Sequence, residues 1–334
     1  MSPLPSFELI RAESLAEVVA AKRSHPGCRL LAGGTDLLAN WRRGLGGGGP
    51  MVDITLLPGI GDIAAEEGAL RIGAGVTLSR LGEDPSIGRH FPALAEAARS
   101  VAGPAHRSSA TIGGNLCQET RCIFLNESEW WRESRGFCLK YRGTLCHVAP
   151  KGKRCYAAYS GDLAPALLVL SARATLGGAD GMHTLSLEEL FRDDGASHLA
   201  LGEEVLLSVS LPIAAGLFCG YEKARFRGAI DFPLAGVAVA LAREGESLAA
   251  LRVALTGTNS RPLLLAGCEA LLGRPLDAAA LQEIGKLVQK QASPMRTTLA
   301  PAHYRRRVAS ALACRLAERL YAAAAPPPAP PLIR

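Results

Sequence analysis

The sequences Ala-Gly-Gly-Thr-Asp at residues 32–36 and Thr-Ile-Gly-Gly-Asn at residues 111–115 are two short glycine loops. Paired glycines let a backbone come close to a ligand and point its amides at an anion. The first loop follows a short apolar strand and precedes a predicted helix. Neither loop matches the dinucleotide fingerprint GxGxxG or the P-loop GxxxxGK[ST], so neither of those common nucleotide folds is supported. Two ordinary glycine turns are the alternative interpretation.

A cysteine-rich segment follows the second loop directly, because residues 117–155 contain five of the nine cysteines. One of them, Cys117, lies two residues after the second loop, and the other four are Cys122, Cys138, Cys146 and Cys155. Four thiolates are the number that a [4Fe-4S] cluster or a structural zinc requires. Spacing does not separate these metals, because CxxC pairs are absent. Four unrelated thiols are the remaining alternative, although buried structural cysteines normally lie in apolar elements and this segment is polar.

Composition indicates an ordinary globular protein with two or three domains, since 48% of the 334 residues are hydrophobic and 20% are charged. The N-terminus has no signal-peptide pattern and no stretch is apolar enough to span a membrane, so we expect a cytoplasmic protein with reduced cysteines. Residues 117–159 hold eight Lys or Arg against four Glu. Such a basic segment, with its interleaved aromatic residues, favours docking of an acidic protein over nucleic acid.

The predicted fold class is α+β, with a C-terminal α+β domain after two α+β subdomains. Residues 1–55 read as a small β-α-β unit, and residues 56–216 as a mixed or antiparallel sheet domain interrupted by an insertion at 117–159. Residues 217–324 predict a three-stranded antiparallel sheet followed by a three-helix bundle. Residues 325–334 are predicted to be disordered or polyproline-like.

Together the two loops, AGGTDLL and ATIGGNLC, resemble the FAD-binding subunit of molybdenum hydroxylases, the family of xanthine dehydrogenase and of the medium subunit of aerobic carbon monoxide dehydrogenase. The resemblance extends through IGAGVTLSRL, SGDLAPALLVL, EVLLSVSLP and GYEKARFR, and so covers most of residues 5–320. It implies one FAD, with its pyrophosphate held by backbone amides of both loops. On this chain the implied residues are Ala32, Gly33, Gly34, Thr35, Asp36, Thr111, Gly113, Gly114 and Asn115.

Two further residues are implied to contact FAD. Asp162 in SGDLAPAL matches an acidic residue near the ribose or adenosine portion, although a helix N-cap is the structural alternative. Lys223 in YEKARFR matches a lysine near the isoalloxazine, where a positive charge stabilises reduced flavin. The alternative for Lys223 is a surface lysine on a strand.

The insertion resembles that of the β subunit of 4-hydroxybenzoyl-CoA reductase, which carries a [4Fe-4S] cluster on four cysteines. This resemblance implies that reduced ferredoxin donates electrons, which pass through the cluster and FAD to two [2Fe-2S] clusters on a small subunit and a molybdenum cofactor on a large subunit. There 4-hydroxybenzoyl-CoA is dehydroxylated to benzoyl-CoA, so this chain has no catalytic residues of its own. A dimer of heterotrimers is implied. The remaining cysteines, Cys28, Cys219, Cys268 and Cys314, are predicted to be core residues.

Two other functions are consistent with the sequence. The first is the FAD subunit of an oxidising molybdenum hydroxylase of the xanthine or CO dehydrogenase type, with a structural zinc in the cysteine insertion. The second is a flavin-free assembly subunit, in which the glycine loops are turns and the basic aromatic insertion binds a partner.

Overall fold

The computed structural model describes residues 4–45, 49–297 and 299–324. Its N-terminal elements are β1 (Leu9–Arg11), α1 (Leu15–Ser24), β2 (Arg29–Leu31), α2 (Leu37–Arg42) and β3 (Met51–Asp53). The strands form a parallel sheet in the order β1-β3-β2, which makes β2 an edge strand. Ser14 begins α1, because its hydroxyl accepts a hydrogen bond from the Glu17 amide, as the capping-box spacing predicts.

The second sheet has five antiparallel strands, β4 (Ile63–Glu66), β5 (Ala69–Gly73), β6 (Arg173–Gly178), β7 (Gly181–Ser186) and β8 (Val205–Pro212). Their order is β4-β5-β8-β6-β7, so β8 joins the strands before the cysteine insertion to those after it. The helices between β5 and β6 are α3 (Leu78–Glu83), α4 (Pro85–His90), α5 (Pro92–Ser100), α6 (Pro104–Arg107), α7 (Ile112–Leu116), α8 (Glu129–Ser134) and α9 (Leu163–Val169).

The C-terminal elements are β9 (Phe218–Ala224), β10 (Ala235–Glu244), β11 (Ser247–Thr256), β12 (Leu263–Leu264), α10 (Ala278–Gln291) and α11 (Ala302–Ala323). The strands form an antiparallel sheet in the order β12-β11-β10-β9. Helices α10 and α11 pack against it through a separate apolar core that includes Val239, Ile284 and Leu316. The α+β fold class and the C-terminal antiparallel sheet are therefore confirmed.

The predicted counts for this sheet and its helices are wrong. Residues 262–272, predicted to be the first of three helices, form β12 and a 3-10 turn at Cys268–Leu271. Leu264 pairs with Ala254 and thereby adds a fourth strand. Gly267 then takes a φ of 92°, a left-handed conformation that a continuous α-helix does not allow. Two α-helices and a short turn replace the predicted bundle.

One apolar core joins the first two sheets. It contains residues of both, among them Val52 and Ile72, and the fully buried helix α9 crosses it. The domain boundaries at 55 and 216 stay predictions. Within the described residues, no helix is both long and apolar enough to cross a membrane. The tail predicted at residues 325–334 lies outside the described part of the chain.

The two ends of the cysteine insertion, residues 117–159, lie next to each other in the fold. Arg121 and Ala158 exchange two backbone hydrogen bonds, of 2.8 and 2.7 Å, which close its base. Inside it, Arg132 on α8 is fully buried and donates to the carbonyl oxygens of Leu125, at 3.3 Å, and Arg43, at 3.1 Å. The insertion is therefore bonded to the turn after α2, the helix that the first glycine loop precedes.

Candidate functional site

The first glycine loop, residues 32–36, connects β2 to α2. Gly34 has a φ of 68°, which favours glycine. A Cβ on Gly33 would lie 1.9 Å from the carbonyl oxygen of Ser109, so only glycine allows this loop to approach the chain that leads into the second loop. Within the described residues, the amides of Gly33, Gly34, Thr35 and Asp36 donate to no protein acceptor. This loop thus presents free backbone donors of the kind that bind anions.

The second glycine loop, residues 111–115, is held by its own hydrogen bonds. The Thr111 hydroxyl accepts from the Gly114 amide at 3.1 Å, and the Gly113 amide donates to the Ala74 carbonyl at 2.8 Å. A Cβ on Gly113 would lie 2.9 Å from the Ala74 side chain, so this loop too is packed closely. The amides of Ile112, Gly113, Gly114 and Asn115 donate within the protein, whereas the first loop has four consecutive amides that donate to none of the described residues.

Both loops line one cavity of about 750 Å³, here called the glycine-loop cavity. That volume lies within the range of about 300–1,000 Å³ for ligand pockets. Of the eleven residues predicted to bind FAD, eight line this cavity: Ala32, Gly33, Gly34, Thr35, Asp36, Thr111, Gly113 and Gly114.

Sequence reasoning missed several residues of the glycine-loop cavity. Lys22 and Arg23 in the last turn of α1, and Arg29 on β2, add positive charge to its lining. Burial lowers the pKa of Lys22 despite nearby acidic groups. Cys28, predicted to be a core residue, also lines the cavity and is only half-buried, because it precedes an edge strand. The signal for these residues was the concentration of basic side chains around residues 22–29.

The other three predicted residues lie outside the cavity lining. The side-chain oxygen of Asn115 accepts from the Leu163 amide at 3.1 Å and so caps α9, while Asp162 makes no side-chain cap there. Asp162 instead accepts from the Tyr221 hydroxyl at 2.6 Å and from Lys223 Nζ at 3.0 Å. Burial raises the pKa of Asp162, although Lys223 and the Tyr221 hydrogen bond oppose that shift. The FAD contacts of these three residues stay predictions.

The four insertion cysteines converge on a second, much smaller cavity, here called the cysteine cavity. Cys122, Cys138, Cys146 and Cys155 all line it, together with Phe124, Leu139, Lys140, His147, Val148 and Ala157. The Cys122 sulfur accepts from the Leu125 amide at 3.2 Å, and the Cys155 sulfur from the Ala157 amide at 3.4 Å. Burial raises the pKa of Cys155 to about 11, with Lys140 opposing that shift. All four insertion cysteines thus border one small cavity.

The cysteine cavity has the residue types of a metal site but not the size of one. Its volume is about 10 Å³, close to that of a single water. In the described part of the chain, no three His, Cys, Asp or Glu side chains are grouped so that they could hold one metal ion. A zinc site needs four sulfurs about 2.3 Å from one centre, so the predicted structural zinc has no support here. A cubane binds each sulfur at a different iron and needs far more room than this cavity has, so the geometry of the described residues does not support the predicted [4Fe-4S] cluster either.

An ion pair forms the wall between the two cavities. Glu119 lines the glycine-loop cavity, Lys140 lines the cysteine cavity, and Glu119 Oε2 lies 2.7 Å from Lys140 Nζ. Burial alone would raise the pKa of Glu119, but the Lys140 ammonium outweighs it and lowers that pKa. His198, whose ring bonds the Gln118 carbonyl at 2.9 Å, lies against the same wall, and burial lowers its pKa.

Two family models match the chain almost end to end. One, described as the FAD binding domain in molybdopterin dehydrogenase, matches residues 5–214. The other, described as the CO dehydrogenase flavoprotein C-terminal domain, matches residues 220–320.

Similar proteins include subunits that are described as FAD-binding. The chain is 27% identical to the aldehyde oxidoreductase FAD-binding subunit PaoB of Escherichia coli K12, over 82% of this chain and 88% of that protein. It is 28% identical to the carbon monoxide dehydrogenase medium chain of Hydrogenophaga pseudoflava, over 83% and 84%. It is 44% identical to the putative xanthine dehydrogenase FAD-binding subunit XdhB of E. coli K12, but this match spans 32% of the chain and only 37% of that relative.

Solved structures show the same fold. Carbon monoxide dehydrogenase from Hydrogenophaga pseudoflava superposes with a TM-score of 0.79 at 24% identity, and quinoline 2-oxidoreductase from Pseudomonas putida 86 with 0.77 at 22%. Each match covers 96% of this chain and 99% of the other. These structures confirm the predicted fold. The two family models confirm the flavin-subunit resemblance, and none of these matches supports the assignment to 4-hydroxybenzoyl-CoA reductase.

Proposed function

Since the chain belongs to the family of FAD-binding subunits of molybdopterin dehydrogenases, we propose that it carries electrons in an oxidising molybdenum hydroxylase of the xanthine or CO dehydrogenase type. The observation that carries this proposal is the glycine-loop cavity with its free amides. The similar flavin subunits are the second support. The flavin-free assembly subunit lacks such support, because ordinary turns would not need a cavity between them.

In this function the free amides of Gly33, Gly34, Thr35 and Asp36 would hold the FAD pyrophosphate, and Lys22, Arg23 and Arg29 would attract it. FAD, when bound, accepts and donates one or two electrons. The second glycine loop would act by shape, since its glycines leave room where side chains would clash. Substrate chemistry would take place on a large molybdenum-cofactor subunit, reached through a small [2Fe-2S] subunit.

The test of this proposal is flavin content. The full chain, purified alone, should be yellow and release about one FAD per chain on denaturation. Thr35→Pro, which removes one free amide, should lower FAD affinity. Gln282→Ala, at an exposed position of α10, is a suitable control, since it lies in the C-terminal domain. A colourless chain that does not bind added FAD would refute the proposal.

A second candidate function is favoured by one observation: all four insertion cysteines line the same cavity. Here Cys122, Cys138, Cys146 and Cys155 would bind a [4Fe-4S] cluster, and the two amide hydrogen bonds to sulfur would tune its potential. Such a chain would receive electrons from ferredoxin and serve a reductive enzyme of the 4-hydroxybenzoyl-CoA reductase type. The small cavity requires that the side chains move apart on loading.

Iron and acid-labile sulfide per FAD distinguish the two candidates. Anaerobically purified wild-type protein with about four irons and four sulfides per chain would favour the second candidate. In that case Cys138→Ser should lose the cluster, whereas Cys268→Ser, a buried cysteine of the C-terminal domain, should keep it. Protein with FAD and no iron would favour the oxidising type.

A further inference from the structure

Asp36 of the first glycine loop is bonded to the start of the cysteine insertion. The Arg121 guanidinium contacts Asp36 Oδ1, and the Glu119 amide donates to Oδ2 at 3.0 Å. The side-chain amide of Asn40 donates to the same Oδ2 at 3.2 Å. Both carboxylate oxygens are therefore occupied by protein donors, two of which belong to the insertion. The loop with the free amides cannot move without moving residues 119–121.

Lys140 extends this connection to the cysteine cavity. Its side chain is only 10% exposed. Besides contacting Glu119, Nζ donates to the Thr120 hydroxyl and to the Gly195 carbonyl, the latter at 2.8 Å. Lys140 also lines the cysteine cavity together with Cys122 and Cys155. Through these bonds the Lys140 ammonium connects Glu119, in the wall of the glycine-loop cavity, to Thr120, which lies two positions before Cys122.

We propose that the Glu119–Lys140 pair couples the two cavities, so that FAD binding and the packing of the four cysteines stabilise each other. The inference rests on the proposed function, because FAD is the ligand of the glycine-loop cavity. Glu119 and Lys140 are positioning residues in this arrangement. Neither supplies electrons or binds a cluster. Their contact transmits a change in the lining of one cavity to the lining of the other.

The coupling is reciprocal by thermodynamic necessity. If FAD orders the wall at Glu119, it orders Lys140 and with it Thr120 and the peptide before Cys122. A packed insertion must then strengthen FAD binding by the same factor. The Lys140 side chain is only 10% exposed and that of Glu119 is 41% exposed, so the charges of this pair are screened less than those of a fully exposed pair.

The first measurement is the dissociation constant of FAD for the full chain, freed of flavin and of metal with a chelator. We expect Glu119→Gln and Lys140→Met each to weaken FAD binding roughly tenfold, within the usual range of coupling between sites. The double variant should be no weaker than either single variant, because both remove the same interaction. Lys140→Arg should recover much of the affinity. Lys151→Met, an exposed lysine of the same insertion, should bind FAD as the wild type does.

The second measurement is alkylation of Cys138 and Cys146 by iodoacetamide, followed residue by residue with mass spectrometry. FAD should slow alkylation of both buried thiols in the wild type, and this protection should be lost in Glu119→Gln. The wild-type measurement holds even if a variant fails to fold. Additive losses of affinity, or thiol protection that is unchanged in Glu119→Gln, would overturn the coupling while leaving FAD binding intact. A wild-type chain that binds no FAD would instead overturn the proposed function together with it.

Discussion

Lys223 Nζ lies 3.0 Å from Asp162 Oδ2, and the two side chains are only 4% and 5% exposed. The pair joins β9 of the C-terminal sheet to the start of α9, and the Tyr221 hydroxyl bonds the other oxygen of Asp162 at 2.6 Å. The sequence predicts the two residues separately, as contacts of opposite ends of FAD. In the structure the two side chains form an ion pair with each other, so the effect of this pair on stability can be predicted.

Removal of one member of this pair should destabilise the protein strongly. Asp162→Asn or Lys223→Met should each lower the free energy of unfolding by about 3–5 kcal/mol, because the remaining charge is buried without its partner. The double variant should be more stable than the sum of the two losses implies. Urea unfolding followed by circular dichroism measures each value.

A more exposed pair, between Glu222 on β9 and Arg315 on α11, is the control for that prediction. Arg315 contacts Glu222 through a guanidinium that is 67% exposed, so Arg315→Met should cost no more than about 1 kcal/mol. Equal losses for the buried and the exposed pair would contradict the role assigned to burial.

Gly33→Ala should separate the two glycine loops. The added Cβ would lie 1.9 Å from the Ser109 carbonyl oxygen, which is backbone and cannot rotate away. We expect a loss of about 1–3 kcal/mol in stability, as for other overpacked sites, and a weaker FAD affinity. Gly61→Ala is the matched control, because a Cβ added there would meet no other atom within 4 Å. Fluorescence quenching of added FAD would report the difference, and equal affinities would count against the loop contact.

Cys117 should make stability depend on alkaline pH. Cys117 is half-buried at the edge of the glycine-loop cavity, and the packing around its thiol raises the pKa from 9.0 to about 12. The unfolded chain therefore loses this proton at lower pH than the folded chain, so the contribution is complete below pH 9 and is lost as the pH rises toward about 12. The free energy of unfolding should fall less steeply above pH 9 in Cys117→Ala than in the wild type. Urea titrations from pH 8 to about pH 10.5 would show it; parallel curves would contradict the assignment.

Arg132 should determine whether the cysteine insertion stays attached to the turn after α2. Its guanidinium is buried, bonds the carbonyls of Leu125 and Arg43, and lies 5.3 Å from the centre of the Tyr141 ring. Arg132→Met removes these bonds and leaves two carbonyl oxygens unsatisfied, each at a cost of about 1–3 kcal/mol. Limited proteolysis should then cut residues 117–159 faster. Arg135→Met, at an exposed position one turn away, should not change the cleavage rate.

Local sequence was sufficient where local forces decide the conformation. The Ser14 cap, the strand β8 and the helix α5 follow from capping spacing and apolar periodicity. Local sequence was insufficient at residues 262–272, where good helix formers instead pair with β11 through Leu264. Pairing with a neighbouring strand outweighs an intrinsic preference that amounts to only a fraction of a kcal/mol per residue.

The sequence by itself determined the family, the α+β class and the glycines without which the two loops could not approach. It also identified four cysteines in a segment whose apolar residues follow neither a helical nor a strand period. Only the tertiary structure decided that Asp162 pairs with Lys223, that Cys28 borders a cavity, and that Glu119 and Lys140 separate two cavities. Asp162 and Lys223, for example, are 61 positions apart, and no local spacing encodes such a pair. Such pairs arise in the folded chain, because a charged group that is buried must be paired with an opposite charge or hydrogen-bonded.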